Sequence, residues 1–144
     1  MRADYNTLLL AVEGYSSQYS YLPGEEAHFH CSARVKSFSV EIARVGHKRE
    51  VVWRRDGIRG EEQPTPADAY ANGCNWPVTF SLRIPKSWQS GFYEVVMRGD
   101  GVQGPEAIGH ACFVVRSANP GRDTSMLLVL STNTYNAYNR WGGH

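Results

Sequence analysis

The side chains with most chemical potential stand near the C-terminus, in Ser131-Thr-Asn-Thr-Tyr-Asn-Ala-Tyr-Asn-Arg-Trp-Gly-Gly143. Asn133, Asn136 and Asn139 supply amides that can donate to an oxyanion or orient a carboxylate. Tyr135 and Tyr138 are three apart, so a helical turn beginning there sets both phenols facing one way. A phenol can donate a proton, or as phenolate give a hard oxygen ligand to a Lewis-acid metal. Ser131 is a poor nucleophile candidate, because its neighbours lack the glycines that a sharp nucleophile turn needs. On local chemistry alone, a packed aromatic loop accounts for the string as well.

Other constellations are weaker. Glu26, His28 and His30 alternate on one strand face and could ligate zinc or iron. Closure would need a third strand, and the reading favoured here is a polar outer face. His47, His110 and His144 have no partner in sequence and receive no role. Trp76-Pro77 and Trp88-Gln89-Ser90-Gly91 could stack on a pyranose ring, although tryptophans that bracket strands more often plug turns. No Gly-x-Ser-x-Gly, phosphate-binding Gly-x-x-x-x-Gly-Lys or His-Glu-x-x-His motif occurs.

The elements that must position these groups alternate at period two. Ala27, Phe29, Cys31 and Ala33 point one way; Phe38, Val40 and Ile42 repeat the pattern, as do Val78, Phe80, Leu82 and Ile84. Tyr93, Val95 and Met97, then Ala111, Phe113 and Val115, continue it. With Leu8–Val12 and Val51-Val52-Trp53 this predicts seven or eight strands, separated by turn signals such as Pro23-Gly24, Val45-Gly46, Asp56-Gly57 and Asn72-Gly73. Short strands so spaced indicate an antiparallel β-sandwich of immunoglobulin or fibronectin type, mainly β. Arg59–Trp76 reads as a long irregular crossing between the sheets. Cys31, Trp53 and Cys112 follow the order of an immunoglobulin disulfide packed on tryptophan, but His110 stands where the accompanying tyrosine should. The topology is therefore expected without the bridge, with Cys31 and Cys112 as buried free thiols. Residues 1–118 form the module, 119–125 a linker centred on Asn119-Pro120-Gly121-Arg122-Asp123, and 126–144 the start of a second, α/β unit. In that unit Met126-Leu-Leu-Val-Leu130 is expected to be a buried strand feeding the loop.

Composition excludes several classes. A 42% hydrophobic and 20% charged chain with net charge +1 is soluble and globular in type, without an electrostatic footprint for nucleic acid or an anionic membrane. No apolar stretch reaches the roughly 18 residues of a membrane span. Leu8–Val12 is too short for a signal-peptide core, so a cytoplasmic chain is the expectation.

The string Leu128–Gly143 resembles the large subunit of N,N-dimethylformamidase and its relatives. Gly14-Tyr15, Ser20–Glu25, Phe29–Ser32, Val40–Gly46 and Trp88–Tyr93 are similar to the module that precedes this string in that family. The resemblance implies an amidohydrolase that cleaves small formamides such as dimethylformamide to formate and amine. It also implies mononuclear iron held by two tyrosines and a glutamate, with Tyr138 as one ligand; Asn136 and Asn139 are the catalytic candidates that the local amide chemistry offers. Tyr135 stands where the family can carry tryptophan, which argues against it as ligand. The family pattern sets the second tyrosine and the glutamate beyond His144, and a further β-rich domain before the module. The chain is thus expected to be a fragment, inactive alone and not stably binding iron. Its implied partners are the remainder of the catalytic domain, a small subunit, further copies in a homo-oligomer and a small amide. The rival expectation is a stand-alone carbohydrate- or protein-binding sandwich, using Trp76, Trp88 and Tyr93. A free module should carry a polar tail, and the unshielded Met126–Leu130 run disfavours it.

Overall fold

The computed structural model describes residues 9–137 and Trp141, with only the backbone of residues 135–137. Eight strands are present among the described residues: β1 (Val12–Ser16), β2 (Ser20–Tyr21), β3 (Glu26–Ala33), β4 (Ser37–Val45), β5 (Arg49–Arg59), β6 (Phe80–Arg83), β7 (Gly91–Gly99) and β8 (Ile108–Val115). They form a three-stranded sheet, β1-β3-β6, and a five-stranded sheet, β2-β8-β7-β4-β5. All pairs are antiparallel except β2 on β8. With β3 as strand B, β4 as C, β7 as F and β8 as G, this is the immunoglobulin arrangement, and β5 lies where C′ does. The chain is mainly β, as its alternation predicts.

The inward positions are those the alternation selects. Phe29, Cys31, Phe38, Val40, Ile42, Tyr93, Val95, Met97 and Phe113 are all buried between the two sheets. Within this core Phe29 stacks on Phe80 at 4.7 Å, and Tyr93 on Phe113 at 5.4 Å. Removing these apolar surfaces from water is the main force holding the sheets together.

Four local expectations are corrected. Asp56-Gly57 is no turn but a bulge inside β5: Phe38 pairs with Ile58 and Val40 with Arg55, leaving two residues opposite Ser39. Gly57 takes φ +65°, which is how a bulge absorbs the extra residue. The N-terminal apolar run enters the sheet only at Val12, and the strand continues through Glu13-Gly14-Tyr15. Val78 lies outside β6 and is half exposed. The largest change concerns Met126–Leu130, which joins no sheet and leaves Met126, Leu127, Leu128 and Val129 exposed. An apolar run becomes a strand only where a neighbouring ladder accepts its backbone, and no described strand does so here.

The Arg59–Trp76 crossing does connect the two sheets, with a single helical turn, α1 (Ala69–Asn72), capped by Gly73. Residues 119–123 close on themselves, Asn119 O accepting from the Arg122 and Asp123 amides. Beyond them lies a short helix, α2 (Thr132–Ala137). No helix among the described residues is long and apolar enough to cross a membrane.

Candidate functional site

Where β1 of one sheet approaches β8 of the other, the sandwich edge opens into a groove of about 690 Å³. Val12 and Gly14 turn into the core, so Glu13 and Tyr15 must face outward on β1. The β1–β8 approach is close: a Cβ on Gly109 would lie 2.2 Å from Val12 O, so only glycine fits. Phe92 and Glu94 of β7, His110 and Cys112 of β8, Cys74 of the crossing, and Thr134 and Trp141 of the C-terminal segment complete the walls.

One wall is an aromatic cluster. Tyr15 stacks on His30 at 5.0 Å and lies 5.6 Å from Trp76. Trp141 meets Tyr15 at 5.7 Å and Trp76 edge-on at 5.4 Å, while its indole Nε1 donates to Glu13 Oε2 at 3.1 Å. The polar groups beneath are paired. His30 Nδ1 is 2.7 Å from Trp76 O and its Nε2 2.7 Å from Ser17 Oγ, and the Trp76 amide donates to the Tyr15 hydroxyl at 3.2 Å. Burial pushes the Tyr15 phenol above its ordinary pKa, outweighing the opposing Trp76 amide bond. Tyr15 therefore stays protonated at neutral pH.

The other wall carries charge in a row across the outer sheet face. Glu94 lies 3.5 Å from His110 Nδ1 and takes Arg49 Nε at 2.8 Å. Arg49 also bonds Glu41 at 2.8 Å, and Arg54 adds a second bond to that carboxylate. Hydrogen bonds from Arg54, then Arg49, hold Glu41 below the usual carboxylate range. Apart from His110, the row pairs two carboxylates with two guanidinium groups and so adds no net charge.

The sequence candidates separate sharply. Asn136 lies on α2, but its side chain is outside the described residues, as are Tyr138, Asn139 and His144. Glu26, His28 and His30 are strand-face residues as expected. His28 bonds Ser81 Oγ at 2.7 Å, and His30 belongs to the aromatic wall. No group of three or more His, Cys, Asp or Glu able to hold a metal ion occurs among the described residues.

The sugar-platform contacts are overturned. Trp76 is buried with its Nε1 on Pro64 O, Tyr93 is in the core, and Trp88 lies flat on Tyr93 at 4.9 Å. Trp76 and Tyr93 are thus withdrawn from solvent, and Trp88 has one face given to Tyr93. All three cysteines are free, so the absence of the bridge is as expected; Cys112, however, lines the groove instead of the core. The reason is that Cys112 is on β8, the G position, so His110 is the wrong place to seek the tyrosine. The F strand is β7, and there the Tyr93 hydroxyl donates to Gln89 O at 2.7 Å, four residues upstream, in a tyrosine corner. Val95 occupies the position of the second cysteine.

Glu13, Tyr15 and Trp141 were not singled out from sequence as a unit. Alternation around Gly14 marks Glu13 and Tyr15 as outward, but nothing local reveals that Trp141 reaches them.

Fold and groove together define an immunoglobulin-like sandwich against whose β1 strand Trp141 is seated. A family model described as N,N-dimethylformamidase beta subunit-like, C-terminal, matches residues 39–144, and the chain belongs to that family. A search of curated proteins finds no match.

Proposed function

We propose that the chain is the sandwich module and first active-site loop of a hydrolase acting on small formamides. The reaction is addition of water to the amide carbonyl and cleavage of its C–N bond, so that dimethylformamide and water become formate and dimethylammonium. What supports this reading is the family match, which spans residues 39–144 and so includes both β4 and the segment 131–143. Tyr138 is the proposed ligand of a mononuclear iron, and Asn136 and Asn139 are the proposed amides that orient the carbonyl and the attacking water. When bound, a hard cation polarises a carbonyl and acidifies water. No group of three or more His, Cys, Asp or Glu able to hold a metal ion occurs among the described residues, and Tyr138 lies outside them. The other ligands are proposed to lie outside them as well, and one phenol does not retain iron. The sandwich then serves as the platform that carries the loop, in a cytoplasmic enzyme assembled from the catalytic remainder, a small subunit and further copies.

The test uses the longest polypeptide that the reading frame encodes, with dimethylamine release and bound iron measured together. The unaltered protein is expected to contain iron and to turn over dimethylformamide. Tyr138→Phe should lose both, by at least about a hundredfold in rate. Stoichiometric iron and full activity in Tyr138→Phe would sink the assignment. The 144-residue chain alone is expected to show no turnover above a metal-free blank.

A further inference from the structure

Trp141 stands three residues after Tyr138, yet it contacts the opposite end of the sequence. Its indole N–H is aimed at the Glu13 carboxylate, 128 positions away, in a half-buried charge-assisted hydrogen bond. Its ring is held between Tyr15 and Trp76, with the edge-on geometry to Trp76 that aromatic quadrupoles favour. The receiving wall is braced by bonds that do not involve Trp141. His30 ties Ser17 to the Trp76 carbonyl, the Tyr15 hydroxyl accepts the Trp76 amide, and the Trp76 indole is spent on Pro64 O. By contrast, the loop's Thr132-to-Leu130 and Thr134-to-Ser131 backbone bonds are local. They shape the turn without tying it to the sandwich.

We propose that Trp141 is a positioning residue: gripped by Glu13, Tyr15 and Trp76, it anchors the chain that follows α2 to β1, and through that anchor bears on the residues proposed to react. The inference rests on the proposed function only for what the loop carries; the docking is independent of it. The sandwich is then an active part of the site's geometry. Displacement by about 1 Å at a distance from the chemistry can cost on the order of a hundredfold in rate.

Two measurements decide it. In the 144-residue chain, exchange of the Trp141 indole proton with deuterated water is followed by NMR. Docked, it should exchange at least about tenfold more slowly than a free indole, and Glu13→Ala should abolish the slowing. An unprotected indole in the unaltered chain overturns the inference. In the longest encoded polypeptide, Trp141→Ala should lower kcat for dimethylformamide by about 10- to 100-fold with KM changed less than about threefold. Trp141→Phe, which keeps a ring but loses the donor, should recover part of that loss, and Glu13→Ala should reproduce it. Unchanged kcat in Trp141→Ala overturns the inference even if Tyr138→Phe is inactive. If no form hydrolyses dimethylformamide, the functional reading fails while indole exchange still decides the docking.

Discussion

Cys31 on β3 points into the core, its Sγ 3.8 Å from Met97 Sδ, and burial pushes its thiol up to about 12. The unfolded thiol ionises near the ordinary 9.0. Native Cys31 therefore holds its proton to higher pH than the unfolded chain does. The associated stability is full below about pH 9 and drains as pH rises toward about 12, at no more than about 1.4 kcal/mol per unit. Urea midpoints should thus begin to fall near pH 9, and Cys31→Ala should flatten the first part of that fall. An equally steep decline in Cys31→Ala between pH 9 and 10 would point elsewhere. Tyr21 and Tyr93, also raised by burial, act in the same direction above 10.0. At this scale sequence was a good guide to which way a side chain faces, because alternation alone assigns it. It was a poor guide to partners: that Trp76 and Trp88 plug the fold was the favoured reading, but that Pro64 and Tyr93 receive them was not legible.

Among the elements, β1 and β8 bear on the site because they bring Glu13 and Tyr15 beside the groove. Their approach depends on Gly109, whose missing side chain admits Val12 O. Gly109→Ala must push backbone against backbone and should cost about 3 kcal/mol, with loss of Trp141 indole protection as β1 shifts. Gly57→Ala offers the contrast. Nothing lies within 4 Å of the added Cβ, so only the left-handed backbone is penalised, by about 1 kcal/mol, and Trp141 should stay protected. Chemical denaturation and indole exchange on both variants separate the two effects. Equal costs would mean that the β1–β8 seam is looser than its geometry. The Asp56-Gly57 misreading has the same origin: a glycine with positive φ serves a turn or a bulge equally, and only the pairing of Phe38 with Ile58 distinguishes them.

For the molecule as a whole, the unbalanced feature is the exposed apolar run. Met126 and Leu127 are each 90% exposed, and Val129 is 80% exposed. Against a surface whose charges pair across the sheet, such a run drives association. The 144-residue chain should self-associate at micromolar concentration in sedimentation velocity, and Leu127→Lys with Val129→Lys should return it to monomer. A monomeric parent would show that the run is covered within the chain.

Sequence by itself determined the sandwich, most of the inward set from Ala27 to Val115 (Val78 excepted) and the resemblance carried by Leu128–Gly143. Each is written in local alternation or in contiguous residue identity, which need no knowledge of distant partners. Tertiary structure decided the rest: that β2 lies parallel to β8, that Tyr93 and not position 110 makes the corner, and that Met126–Leu130 finds no ladder. It alone brought Trp141 to Glu13, because a contact between residues 128 positions apart is set by how two sheets close on each other.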